Sequence, residues 1–150
     1  MRQPDRQSGL TIIEVVAMVA LLSAIALLMA PSVSRVLHSG RLAQEQQRLK
    51  QTLRLTQQQA IAEDRTYRIV WNLVGNSWTT LYFDDVAFVA IREDSLDEKV
   101  SLVSTTFVGN QLDFDHLGTP SSGGSIVLQD TSGAKRQVEI IAGSGLIRLP

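Results

Sequence analysis

A lone carboxylate, Glu14, stands in an otherwise uncharged run, LTIIEVVAMVALLSAIALLMA, from Leu10 to Ala30. A carboxylate within an apolar span costs up to ~3 kcal/mol depending on its depth, so an acid placed there is a candidate functional group and needs a cation or water. No cation stands in the same run. Two readings follow: Glu14 sits close enough to the headgroups to reach water, or it meets a cation at the same depth on another chain.

The remaining reactive side chains are scattered. His38 falls on the segment that follows the apolar run and His116 in a turn-rich region, so they share no site, and a serine without a base is no nucleophile. Asp113 and Asp115 alternate along a strand and point to one face, with His116 adjacent, an arrangement that suits either a cation or a solvated strand end. Glu93, Asp94, Asp97 and Glu98 form an acidic stretch, read as a solvated loop with calcium as the competing ligand. The chain has no cysteine, which removes disulfides, thiolate catalysis and the usual zinc sites. Neither a catalytic centre nor a cofactor is expected.

The elements that must carry these groups divide the chain in two. Its 150 residues allow one modest domain plus an extension. The 44% hydrophobic content is concentrated near the N-terminus. A net charge of −1 provides no global field to attract nucleic acid or anionic lipid. As a helix, the run from Leu10 to Ala30 extends ~31 Å, which matches the ~30 Å hydrocarbon core of a bilayer. A cleavable signal peptide, with Arg2 and Arg6 in front and Ala24-Ile25-Ala26 as its site, fits less well. Its apolar region would be too long and would carry an acid. A domain this small could not bury a helix apolar on every side. Arg35, Arg41, Arg48 and Lys50 follow the span while only Arg2 and Arg6 precede it, so charge asymmetry alone does not place the N-terminus in the cytoplasm.

Pro31 lacks a backbone donor and should kink the helix. Beyond it, Leu42, Leu49, Leu53 and Ala60 recur as one stripe, while Arg41, Gln44, Glu45, Gln47, Gln51 and Gln58 take the opposite surface, with Arg41 and Glu45 spaced as an i,i+4 ion pair. Gly40 weakens the helix by roughly 1 kcal/mol relative to alanine. Two heptads are too few for a coiled coil, so the stripe should pack on a sheet. A helix from Leu10 to about Glu63 would be ~80 Å long, of no use to a compact domain but apt for a filament of parallel helices.

After Arg65 the periodicity shortens to β-rich runs at 67–72, 78–83, 86–91, 100–105, 111–114, 125–129, 137–141 and 146–149, separated by Gly, Asn, Asp, Pro and Ser. They read as consecutive antiparallel hairpins forming two small sheets laid on the helix. The expected fold class is α+β: a long N-terminal helix, transmembrane in its first half, packed on a small antiparallel β-sandwich-like domain.

The string Ser8-Gly9-Leu10-Thr11-Ile12-Ile13-Glu14-Val15 resembles the class III signal of type IV prepilins, a short leader ending in glycine, then an apolar residue, then a glutamate four positions on. Leu10 stands where phenylalanine or methionine is commoner. Phe114-Asp115-His116-Leu117-Gly118, Ile126-Val127-Leu128, Gly133, Val138-Glu139-Ile140 and Gly143-Ser144-Gly145-Leu146-Ile147-Arg148 resemble the C-terminal pattern of the GspH/FimT family. Gln58-Gln59-Ala60-Ile61-Ala62 fits it as well. With the leader, the resemblance covers nearly the whole chain.

It implies a pilin-like fold and four segments: a leader at 1–9, a transmembrane half-helix at 10–30, an amphipathic periplasmic half at 31–62 and a periplasmic β domain at 63–150. A prepilin peptidase is then expected to cut between Gly9 and Leu10 and to methylate Leu10. Glu14 would pair with a neighbour's terminal amine during assembly, and Pro31 stands where pilins often carry a proline. The implied function is that of a minor pseudopilin of a type II secretion system, anchored in the bacterial inner membrane by a single pass. Its partners would be the major and other minor pseudopilins, the inner-membrane assembly platform, and an exported substrate or the outer-membrane secretin. The alternative is a FimT-like minor type IV pilin for pilus assembly or DNA uptake. DNA binding needs several cations at phosphates, whereas only Arg148 occupies the final turn, with Lys135 and Arg136 in the preceding hairpin, so a nucleic-acid partner is not expected. A lone membrane-tethered binding module would explain the anchor but leave the leader and Glu14 without a purpose.

Overall fold

The structure of the chain is a computed structural model that describes residues 11–150, apart from the side chains of 26–39. Gly9, Leu10, the side chain of His38, and Pro31 with its expected kink lie outside the described residues. A single helix, α1 (Ile12–Ala62), precedes eight strands: β1 (Tyr67–Asn72), β2 (Ser77–Phe83), β3 (Phe88–Ser95), β4 (Val100–Thr105), β5 (Gln111–Phe114), β6 (Gly124–Asp130), β7 (Lys135–Ile140) and β8 (Ile147–Arg148). A 3-10 turn (Val108–Asn110) leads into β5. The chain divides into two compact units, Met1–Leu37 and His38–Pro150.

In the second unit, the leucine stripe packs as its spacing demands. Leu42, Leu49, Leu53 and Ala60 are all buried, and so are Gln46, Thr52 and Thr56 between them. Two of these polar side chains, Gln46 and Thr56, find acceptors. Gln46 Nε2 donates to the Gln137 carbonyl at 2.7 Å, and Thr56 Oγ1 donates back to the Thr52 carbonyl at 2.9 Å. The expected Arg41–Glu45 pair does not form. Glu45 lies 3.6 Å from Arg48, whose guanidinium turns to the end of β3, donating to the Ser95 carbonyl at 2.9 Å and to Asp94 Oδ1 at 3.2 Å. Burial raises the Glu45 carboxyl above its usual range despite the nearby guanidinium. Gly40 lies in the same helix, exposed, and a Cβ built on it meets nothing within 4 Å. Replacing it with alanine should therefore stabilise the chain by ~1 kcal/mol, read as a higher urea midpoint; an unchanged or lower midpoint would contradict this account of that turn.

The strands form two four-stranded antiparallel sheets, ordered β3-β2-β1-β5 and β4-β6-β7-β8. Consecutive hairpins therefore describe only part of the topology, because β1 pairs with β5 and β4 with β6. Alternation along each strand explains the core: Tyr67, Ile69 and Trp71 of β1, Leu112 and Phe114 of β5, Ile126 and Leu128 of β6, and Val138 and Ile140 of β7 all point inward and join the helix stripe in one cluster. The Trp71 ring stacks on Phe107 with centroids 5.1 Å apart. Asn76, in the β1–β2 turn with φ 49°, clips the sheets together. Its Oδ1 accepts from the Leu102 amide of β4 at 2.9 Å and its carbonyl accepts from Leu96 N at 2.9 Å.

β3 is displaced from its expected position at 86–91. Asp84 Oδ1 accepts from Val86 N and Ala87 N at 3.0 and 2.8 Å, so these residues close the turn, and the bonds hold the Asp84 carboxyl below the usual carboxylate range. At the other end the strand runs on through Glu93 and Asp94, which face Thr79 and Trp78. Half of the expected acidic loop is thus β-strand.

Candidate functional site

Two regions carry the residues singled out by sequence. The first is the start of α1. Glu14 lies in its first turn, where an acid is favoured by the helix dipole, and its amide donates to the Thr11 carbonyl at 3.0 Å. Around it the side chains face outward: Ile12 is 86% exposed, Ile13 78% and Leu22 66%. Residues 11–25 contain no basic side chain, so no counter-charge for Glu14 comes from this described run. Among the described residues no helix is long and apolar enough to cross a membrane. The described apolar run, 11–25, is about 22 Å long at 1.5 Å per residue, and the rest of the expected span, Leu10 and residues 26–30, lies outside them.

The second region is where two glycine turns meet the C-terminal end of α1. In the turn after β5, Asp115 Oδ1 accepts from Leu117 N at 2.9 Å and Thr119 N at 2.7 Å, and Gly118 N returns to the Asp115 carbonyl at 2.8 Å. Gly118 takes φ +77°, and a Cβ there would sit 2.7 Å from Ile61 Cδ1 and 3.2 Å from Gln57 Cγ. Gln57 Nε2 donates to the Gly118 carbonyl at 2.8 Å. The final turn closes over the same spot: Gly145 takes φ +61°, and a Cβ on it would come within contact distance of Gln57 Nε2 and lie 3.3 Å from the Gly118 carbonyl oxygen. Gln57 is thus the helix side chain on which both turns converge. It stands four residues after Leu53 and three before Ala60, at the rim of the leucine stripe, where a polar side chain reads in sequence as solvent-facing.

The span that holds this junction matches the family model described as Type II transport protein GspH, over residues 45–145. This chain belongs to the GspH family. The matched span excludes Glu14, so membership rests on the β domain and the helix end beneath it. Fold comparison agrees. The minor pseudopilin EpsH of the type 2 secretion system of Vibrio cholerae superimposes with a TM-score of 0.63 at 16% identity, covering 73% of this chain and 96% of EpsH. The type IV minor pilin FimU of Pseudomonas aeruginosa PAO1 gives 0.60 at 15% identity, covering 75% and 90%. At such identities the likeness is one of fold. No curated protein sequence matches the chain.

In this GspH-family chain the candidate cation ligands have other work. Asp113 takes a bidentate pair from Arg68, both bonds 2.7 Å, while Asp115 is spent on its turn and His116 is exposed. Asp94 is held by Arg48 and, at 2.8 Å, by Arg92, and Asp97 Oδ1 caps Lys99 N at 2.9 Å. Among the described residues no three His, Asp or Glu side chains are placed to hold a metal ion. The basic side chains near the C-terminus stay apart. Arg148 pairs across from Glu139 on β8, whereas Lys135 opens β7 and Arg136 reaches back to Gln46 Oε1 at 3.3 Å.

Proposed function

We propose that this GspH-family chain is a minor pseudopilin of a type II secretion system, a filament subunit and not an enzyme, helping to export folded proteins across the outer membrane. The observation that carries this reading is the pairing of an exposed apolar helix segment bearing Glu14 with a GspH domain that packs its own half of the same helix. Exposed leucine, isoleucine and valine over several helical turns demand a cover, and a bilayer before assembly and neighbouring helices after it both provide one. On this reading the leader at 1–9 is removed after Gly9 by a prepilin peptidase and Leu10 is methylated. Residues 10–30 anchor the chain in the inner membrane with its β domain in the periplasm, Pro31 bends the helix, and 31–62 join the filament to the domain at 63–150. Glu14 then takes the terminal amine of an adjacent subunit as its missing cation. The platform and the major and other minor pseudopilins are the partners that build the filament.

The same geometry serves a minor type IV pilin, and the near-equal fold match to FimU supports that second reading. Deleting the gene separates them, since export of folded proteins fails under the first and surface pili are lost under the second. The intact mass of protein purified from host membranes tests what both share. A chain that begins at Leu10 and carries one added methyl group is expected; an uncut chain, or one trimmed after Ala26, refutes the pilin-like assignment of the leader.

A further inference from the structure

The two sheets have four edge strands, and three of them are blunted. Beside β5, Ser121 N donates to the Asp113 carbonyl, Ser121 Oγ accepts from Asp113 N, and Phe114 bridges Pro120. β8 has two residues, and β4 has six with a register break at Val103. β3 is the longest of the four: it has eight residues, with a register break of its own at Ile91, pairs only with β2, and stays exposed from Val89 to Glu93. Proteins normally cover or charge so long an edge, because its free amides and carbonyls will template another strand.

The edge is also patterned. Phe88 and Ala90 lie on the outer face opposite Phe83 and Leu81, while Val89 lies on the helix side opposite Tyr82. Ile91 is the bulge residue, skipped between the pairings of Ala90 and Arg92, and is 46% exposed. On α1, residues 48, 52, 55 and 59 fall on one stripe by helical spacing, and Arg48 of that stripe contacts Asp94 and Ser95 of β3. Leu55, 49% exposed, lies on that stripe two turns beyond Arg48. At the far end Arg92 and Asp94 neutralise each other, whereas Glu93 has only a 3.5 Å contact from Ser77 Oγ and no ion pair among the described residues.

The geometry points to β3 as a docking edge for an extended segment of a different protein, added as a further strand of the β3-β2-β1-β5 sheet. The segment that fits carries apolar side chains beside Phe88–Ala90 and a lysine or arginine beside Glu93. Backbone pairing provides the affinity, and the apolar-to-basic order sets the register. A second copy of this chain fits less well, since antiparallel self-pairing about the apolar residues Phe88 to Ile91 leaves both copies of Glu93 without a cation. The inference goes beyond the filament reading above and rests on it only for its envelope setting.

The test places a photo-crosslinking phenylalanine analogue at Ile91 of the full chain in its own host and maps the adduct by mass spectrometry. One adduct is expected, to an apolar-basic stretch of a single other envelope protein, with Val89→Lys lowering its yield at least about tenfold. An adduct to β3 of a second copy, an adduct insensitive to Val89→Lys, or no adduct from folded protein overturns it. The N-terminus is read in the same sample: a chain cut and methylated at Leu10 that gives no adduct defeats this inference alone, and an uncut chain defeats the filament reading instead.

Discussion

Glu14→Ala is expected to leave the chain expressed and membrane-anchored but to stop its incorporation into filaments. Glu14 is exposed on a helix segment that forms its own compact unit, so its loss should change the stability of the β domain by less than about 0.5 kcal/mol. Incorporation is another matter, because removing one partner of a desolvated charge pair costs ~2–5 kcal/mol, at least about thirtyfold in association. Glu14→Gln separates charge from shape: it keeps the side-chain length, loses the ion pair and should fail as alanine does. Co-sedimentation of each variant with sheared filaments reads the result. Normal incorporation of Glu14→Ala would sink the proposed role of the carboxylate, and normal incorporation of Glu14→Gln alone would replace the ion pair with a hydrogen bond.

Gly118→Ala should unfold the β domain more readily than Gly143→Ala, although both glycines sit at φ +77°. The shared backbone cost for an L-residue there is ~1–2 kcal/mol. A Cβ at Gly143 meets nothing within 4 Å, so that variant pays only the backbone term. At Gly118 the Cβ also meets Ile61 Cδ1 and Cγ1 at 2.7 and 2.9 Å; Ile61 is 53% exposed and can turn aside, so packing adds only the low end of the ~1–3 kcal/mol for overpacking, for a total of roughly 2–3 kcal/mol. That is a large share of the stability of a domain this size. Urea melts of the two variants isolate the packing term by difference, and adding Ile61→Ala to Gly118→Ala should recover most of it. Equal losses at the two glycines would mean that the β5 turn is not seated on α1.

Strand positions were legible wherever period-2 alternation met clear turn residues: 67–72, 100–105 and 111–114 coincide with β1, β4 and β5. The misplacement of β3 has a local cause. Asp84 spends its carboxylate on two amides and takes Val86 and Ala87 out of the strand, while Glu93 and Asp94, poor strand formers by propensity, are held in it by pairing with β2. The aspartates offered as cation ligands were indistinguishable from structural ones in sequence, because their partners, Arg68 for Asp113 and the 117–119 amides for Asp115, are chosen by strand pairing and turn closure.

By itself the sequence determined the kind and order of the elements, though not all their bounds: the apolar run with its single acid, the leucine stripe that must be covered, eight short strands, and the glycines that permit left-handed turns. These are properties of spacing and side-chain chemistry, readable within a window of a few residues. The tertiary structure alone decided that β1 pairs with β5 and β4 with β6, that Gln57 is the seat of both glycine turns, that Asn76 clips the sheets, and that β3 is the edge left open. The pairings among them join residues far apart in the chain, from 21 positions for Thr105 and Ile126 to 88 for Gln57 and Gly145. Such pairings are selected by which packing buries the most apolar surface while leaving few polar groups unpaired, and no local pattern encodes that choice.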